Sequence, residues 1–356
     1  MRFIGSKERL LPQIGDLFQR KNVYAGSTVA DLFCGTGSVS CYLKEQGYRV
    51  LANDNLYFCT VMTRAMLMIS EEPQFEELKE LGFIKPTTSA RLFNSPYDHV
   101  LNYLNNLSPV EGFIYRHYSP EGTRNDDTIR SYFTGRNAAK VDVIRGQIEK
   151  WFCADRITHD EYCLLLADLL RAVAAVSNTA GTYGFYLKKL EPRAMKELEL
   201  KRSRIVPGNT DHSVFNKDAN KLVAEIAPDI AYLDPPYNWR QYAAYYHILE
   251  TVACNDTPRL QGKSGLRPWQ TQRSLYSDRK AASRVLAEIT STIRAESLIL
   301  SYNADGLVSH DEIMSILQAV GEPEFRTVIL PRYTSSSGGS DNHHVEERLY
   351  YVDLRK

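Results

Sequence analysis

Thr28-Val29-Ala30-Asp31-Leu32-Phe33-Cys34-Gly35-Thr36-Gly37 is the stretch on which the fold turns: an apolar run stops in two glycines. Residues 38–46 then carry a helical pattern that ends at Gly47, a residue suited to the position just past a helix. Strand, glycine turn and helix follow in that order. A second run, 48–52, ends in Asn53-Asp54 and leads into an apolar segment reaching Ile69, so the unit repeats as βαβα and implies a parallel sheet.

Outward from this nucleus the pattern changes. Residues 138–152 and 159–176 carry helical periodicity with no strand alternation between them, which predicts a mainly helical insertion. Sheet character returns at 229–233, followed by a helix over 242–253, a strand over 297–302 and a helix over 309–320. Two strands, 325–330 and 348–354, close the chain, with a Ser/Gly-rich hairpin loop at 334–340 between them. At 356 residues the chain has room for a catalytic core split in sequence by one substantial insertion.

Composition excludes several classes. Hydrophobic residues make up 43% and charged residues 24%, as expected of a folded globular chain. No stretch has the run of about 18 apolar residues that a membrane helix needs, and the first seven residues lack a signal core, so a cytoplasmic location is expected. The six cysteines form no C-x-x-C pair, which argues for reduced thiols. The 43 basic and 43 acidic residues cancel, yet residues 259–294 hold eight basic residues, Arg267 and Arg273 among them, against two acidic ones. Such a run is either a solvated face or a phosphate-binding surface.

The glycine turn lets backbone approach a nucleotide-like ligand, and Asp54, ending the second strand, can hold ribose hydroxyls. The turn lacks the G-x-G-x-x-G spacing that suits a pyrophosphate, so an adenosine ligand without phosphates fits better, although tight packing alone also calls for glycine. Asp234-Pro235-Pro236-Tyr237 is sharper. It follows directly on an apolar strand, and its prolines end the ladder, stiffen the backbone and remove donors. A carboxylate and the Pro235 carbonyl can grip the hydrogens of an exocyclic amine such as adenine N6, whose lone pair is otherwise delocalised into the ring. Tyr237 offers a face for a base that has left its stack. The same tetrapeptide could also be a strand terminator with a packed tyrosine.

In this order the motifs resemble the Dam-like class of N6-adenine-specific DNA methyltransferases, many of them modification enzymes of restriction-modification systems. The resemblance implies a class I S-adenosylmethionine-dependent methyltransferase fold: Rossmann-like, mostly parallel, with a C-terminal antiparallel hairpin and an inserted helical target-recognition region. The catalytic domain would take 1–84 and 211–356, and the insertion 85–210. Phe3-Ile4-Gly5-Ser6-Lys7 is similar to the motif enclosing the methionine part of S-adenosylmethionine, with Phe3, Gly5, Ser6 and Lys7 as cofactor residues. Asp31, Phe33, Gly35 and Gly37 match the main cofactor motif, Asp54 the ribose ligand, and Asp218 the acceptor from the cofactor's adenine amine. Asp234, Pro235, Pro236 and Tyr237 match the catalytic motif.

For DNA, Arg240 lies in a segment that resembles a pocket-lining motif, and Tyr333 is similar to an aromatic near the target base. Lys188 and Lys189 stand among Tyr183, Phe185 and Tyr186, a mixture that suits either DNA contact or a solvated helix face. His343-His344 with Glu346 and Glu347 reads as exposed polar loop, so no metal is expected. Double-stranded DNA is the implied partner, a cognate restriction endonuclease acting on the same site a further one, and the chain is expected to be a monomer. Two other functions share these features, an RNA adenine methyltransferase and a catalytically silent DNA-binding subunit. Asp234 sets the chain apart from relatives that act on cytosine or on glutamine, which tend to carry serine or asparagine there.

Overall fold

The computed structural model describes residues 5, 7–21, 24–83, 95–208, 211–331 and 344–355. Phe3, Ile4, Ser6, Tyr333, His343 and the 334–340 loop lie outside them. The chain divides into two compact units.

One unit, Ile4–Thr63, Gly208–Tyr242 and Gln272–Lys356, is built on a sheet. Its strands are β1 (Thr28–Asp31), β2 (Arg49–Asn53), β3 (Ser213–Phe215), β4 (Ile230–Leu233), β5 (Ser297–Asn303), β6 (Pro323–Pro331) and β7 (His344–Asp353), in the order β3-β2-β1-β4-β5-β7-β6. The pairs among β1 to β5 are parallel, and β7 is antiparallel to both β5 and β6. This is the class I methyltransferase fold. Strands β4 and β5 are buried along their whole length, as strands covered on both faces must be, which is why β4 reads as a continuous apolar run and β5 carries the apolar stretch Leu298-Ile299-Leu300. Ala30, Leu32, Leu233, Leu298 and Leu300 join Val285, Leu286 and Ile289 of the helix Ala282–Thr292 in one core. The chain leaves β1 toward β2 on one side and β4 lies on the other, so the strand order reverses between β1 and β4. In open α/β sheets, ligands bind at the carboxyl ends of the strands at such a point.

Several elements differ from the sequence expectation. The 242–253 helix is two pieces, Tyr242–Tyr245 and His247–Cys254, because Tyr246 leaves helical geometry at φ −116°, ψ 21°. Strand β7 begins at His344, four residues earlier than expected, and three-residue β3 was too short to leave a periodic signal. Gly47, at φ 82°, does follow the helix Ser38–Glu45, and the Tyr48 N–H closing on the Leu43 carbonyl at 3.0 Å completes the left-handed stop.

The other unit contains Arg64–Pro207 and Ala243–Thr271, and among its described residues no element longer than an isolated bridge is extended. Its long helices, Gly135–Cys153 and His159–Val176, start where sequence dictates. Thr134 caps the first, and Thr158 with Glu161 forms a reciprocal capping box at the second. The unit extends past the expected 85–210 insertion to take in the helix His247–Cys254. Buried Arg145 holds that helix end: it donates to the carbonyls of Val252 (2.8 Å) and Ala253 (3.1 Å), to Tyr162 Oη (2.7 Å) and to Glu149 (2.7 Å). Arg145→Met strands those acceptors, so a loss of roughly 3–5 kcal/mol is expected. Urea denaturation followed by circular dichroism checks this, and an unchanged midpoint would remove Arg145 from the stabilising network.

Candidate active site

The glycine turn is strung between its two neighbouring strands: Leu32 N–H bonds to the Tyr232 carbonyl at 3.2 Å and Cys34 N–H to the Asn53 carbonyl at 2.9 Å. Gly35 and Gly37 take φ of 52° and 83°, a left-handed region in which side chains are strained. Asp54 braces the turn, one oxygen accepting from Gly35 N–H and the other from Leu56 N–H, each at 2.9 Å. Phe33 meets Tyr276 edge-on at 5.0 Å. Exposed Asp218 caps the helix Ala219–Leu222.

Asp31 is fully buried at the end of β1. One carboxylate oxygen accepts from Ser40 Oγ at 2.6 Å, and the other, also buried, has no hydrogen-bond partner among the described residues. Burial pushes its pKa up to about 7, the Ser40 bond opposing and the charges of Asp234 and Asp54 adding to the rise. Cys34, next to the turn, is likewise buried, and desolvation raises its thiol well above the usual value, which makes it unreactive.

At the end of β4 the tetrapeptide leaves the sheet. The Leu307 N–H bonds to the Tyr237 carbonyl at 2.8 Å, and the Tyr237 ring meets Tyr302 at 6.3 Å with an interplanar angle of 72°. Tyr237 is thus half-buried on a fixed backbone. The Asp234 carboxylate lies 3.2 Å from the ammonium of Lys7, which is 3.0 Å from Glu347 and 5.6 Å from the centre of the Tyr237 ring. Burial raises Asp234 to about 7. Lys7 opposes that rise, and Glu347 adds to it. Burial alone would lower Lys7, but the two carboxylates overcome it and hold the ammonium charged. Gly5, at φ 83°, is constrained too: a Cβ there would sit 3.3 Å from Tyr242 Oη.

At the carboxyl ends of β1 and β4 the site therefore presents a buried carboxylate with an orphaned oxygen, a glycine turn, and a second carboxylate beside a tyrosine ring. Residues 3–316 match the family described as D12 class N6 adenine-specific DNA methyltransferase. The chain belongs to that family. It is 35% identical to the modification methylase StsI of Streptococcus sanguinis, over all of this chain and 52% of that protein. It is 36% identical to the type II methyltransferase M.FokI of Planomicrobium okeanokoites, over 99% of this chain and 52% of that protein. The chain thus spans about half the length of these two relatives. Type II methyltransferase M.NlaIII of Neisseria lactamica is 32% identical, with 99% and 98% of the two chains covered.

In this D12-class chain the sheet unit gathers Asp31, Gly35, Gly37, Asp54 and Asp234 to Tyr237 at one sheet edge. Lys7 was expected among the cofactor residues, yet its charged end sits on Asp234. Of the DNA candidates, Lys188 and Lys189 are exposed on the helical unit, in a chain segment where buried Asn178 ties down Leu187 and Glu191 and where Phe185 is 80% exposed. Arg240 is exposed on the sheet unit. Arg267 corrects the expectation: it is buried and forked onto Asp256 at 3.0 and 2.8 Å, so its charge serves the interior of its own unit. Arg273 pairs with Asp278 at 2.8 Å, and the 259–294 run is divided between the two units.

Glu347 was expected in an exposed loop and is instead buried in β7, with Asn303 donating to it at 3.1 Å. Its parity with Leu349 and Tyr351, both buried, was the available signal, hidden because the strand was expected to begin only at residue 348. Ser40, the partner of Asp31, gave no signal beyond its place on the helix after the turn.

Proposed function

We propose that this chain transfers a methyl group from S-adenosylmethionine to adenine N6 in double-stranded DNA, acting on a base flipped out of the helix. The observation that carries the reading is the setting of Asp234-Pro235-Pro236-Tyr237, whose carboxylate is oriented by Lys7 beside a half-buried tyrosine at the end of β4. When bound, S-adenosylmethionine supplies an electrophilic methyl group on a sulfonium. Asp234 and the Pro235 carbonyl accept the two amine hydrogens, which localises the nitrogen lone pair, and Asp234 stabilises the charge that develops there. Tyr237 stacks on the extruded base and fixes its distance from the donor.

The residues present fit that donor. The orphaned oxygen of Asp31 suits an ammonium such as that of a methionine moiety, and the backbone at Gly35 and Gly37 leaves room for close approach. Asp54 and Asp218 would hold ribose hydroxyls and the adenine amine. Phe3, Ser6 and Tyr333 keep the roles the resemblance gives them. Lys188, Lys189, Arg240 and Arg273 would meet phosphates, positioning the duplex without reading its sequence. The names of StsI and M.FokI as methylases support a modification role, with a nuclease of the same specificity as partner.

Labelled donor offered with duplex DNA and with RNA, followed by mapping of the methylated bases, tests the reading. Label on adenine N6 at one duplex sequence is expected. Label on RNA alone would move the substrate to RNA, and DNA binding without donor binding would make the chain a binding subunit. Asp54→Ala is expected to weaken donor binding by roughly tenfold or more, since it removes a bidentate brace and a hydroxyl acceptor together. Titration calorimetry checks this, and unchanged affinity would confine Asp54 to the turn.

A further inference from the structure

Glu347 belongs to neither the donor-binding nor the base-binding set, yet it is buried against the catalytic carboxylate's only described cation. We propose that Glu347 is a positioning residue for methyl transfer: with Asn303 it anchors the Lys7 ammonium so that the cation holds Asp234 in the orientation that accepts from the amine. The inference rests on the adenine N6 reading above.

The geometry supplies the reason. A lysine ammonium ends a flexible four-carbon stem, and a single carboxylate 3.2 Å away leaves it free to swing. Glu347 adds a second contact at 3.0 Å and cannot itself move freely, because its other oxygen accepts from Asn303 Nδ2 at 3.1 Å. Asn303 is fixed in turn, its side-chain oxygen accepting from Asp305 N–H at 2.9 Å, and it stands opposite Glu347 in the register of β5 and β7. The Ala304 N–H bonded to the Glu346 carbonyl at 2.9 Å prolongs that pairing. The last strand of the sheet thereby sets the direction of a side chain on β4, through Lys7. Two carboxylates against one ammonium also leave the cluster one negative charge in excess, which suits a cationic donor.

Among the described residues, the charged and titratable groups facing Asp234 are Lys7, Glu347 of β7, Tyr237, Tyr232 of β4 and Asp31 of β1. Glu347 alone of these both touches Lys7 and opposes its effect on Asp234. Removing its charge should therefore change two readouts at once.

Wild type, Glu347→Gln, Glu347→Asp and Asn303→Ala would be compared for kcat, KM for duplex DNA, donor affinity and the pH dependence of kcat. For Glu347→Gln the alkaline plateau of kcat is expected to fall roughly ten- to a hundredfold, as for a misplaced reacting group. Its acid limb should move to lower pH by about one unit, because the Lys7 charge is no longer shared. KM and donor affinity stay within about twofold of wild type for a group acting on transition-state positioning alone. Glu347→Asp should return the limb toward its wild-type position. Asn303→Ala, which keeps the charge and loosens the anchor, should lower the plateau without moving the limb, and it keeps the test open if Glu347→Gln does not fold. An unchanged plateau and limb in Glu347→Gln, a limb moved upward, or losses matched by donor affinity would overturn the proposal. A wild-type chain that labels no adenine would instead remove the reading on which it rests.

Discussion

Replacing Asp234 with alanine is expected to slow methyl transfer by about a hundred- to a thousandfold while S-adenosylmethionine still binds. In the proposed mechanism the substitution removes the acceptor beside the attacking nitrogen, an interaction that strengthens only as that nitrogen gains charge, so the loss falls on kcat. The proposed donor side is left standing: the left-handed glycines, the Asp54 brace on Gly35 and the Asp31–Ser40 bond depend on β1, β2 and the helix after β1. Lys7 keeps one carboxylate, Glu347, and so remains a paired cation. Single-turnover transfer of labelled methyl, set beside calorimetric donor binding, separates the two effects. Donor binding lost in a folded Asp234→Ala protein would place that carboxylate in the donor pocket, and full activity would dismiss it from the chemistry.

Lys7→Met should act through protonation. Asp234 already stands near 7, up from 3.8, with burial as the main cause and Lys7 the chief opposing influence. The proposed mechanism needs the ionised carboxylate, so wild-type kcat should fall as pH drops through about 7. Losing the ammonium raises that pKa further by about one to three units, which at pH 7 cuts the ionised fraction roughly five- to five-hundredfold. Activity lost at neutral pH should return in part at pH 9, the signature that distinguishes a proton effect from a misfolded site. Stability runs the other way. A carboxyl whose pKa is raised on folding binds more protons in the native state between about pH 4 and 7, so its contribution to stability declines as pH rises through that window. A variant whose kcat profile overlays the wild type would show that Lys7 does not govern Asp234.

The parts of the site that sequence revealed are those whose residues carry their own local constraint. Gly35 and Gly37 mark a turn because few other residues adopt positive φ, and Pro235-Pro236 end a strand because they cannot continue a ladder. The strands before them stand out because burial on both faces leaves continuous apolar runs. What stayed hidden depends on partners far along the chain. Nothing near Lys7 announces Asp234 or Glu347, and nothing in the 259–294 run distinguishes Arg267, which Asp256 holds inside, from arginines that face solvent. Short β3 and the break at Tyr246 are likewise set by packing, which overrides the weak preferences of three or four residues.

Because β7 lies between β5 and β6, the sheet cannot close in the order in which a ribosome makes it. When Asn303 has emerged, one margin of β5 is bare, and β6 has nothing to zip onto until the final strand arrives, a wait of some seconds at roughly 5–20 residues per second. During that interval a strand that is buried along its whole length in the finished sheet offers unsatisfied amides and carbonyls to any passing chain. Newly made protein should therefore be most prone to clump just before translation of residues 344–353, and a chaperone that masks strand margins should help it most at that moment.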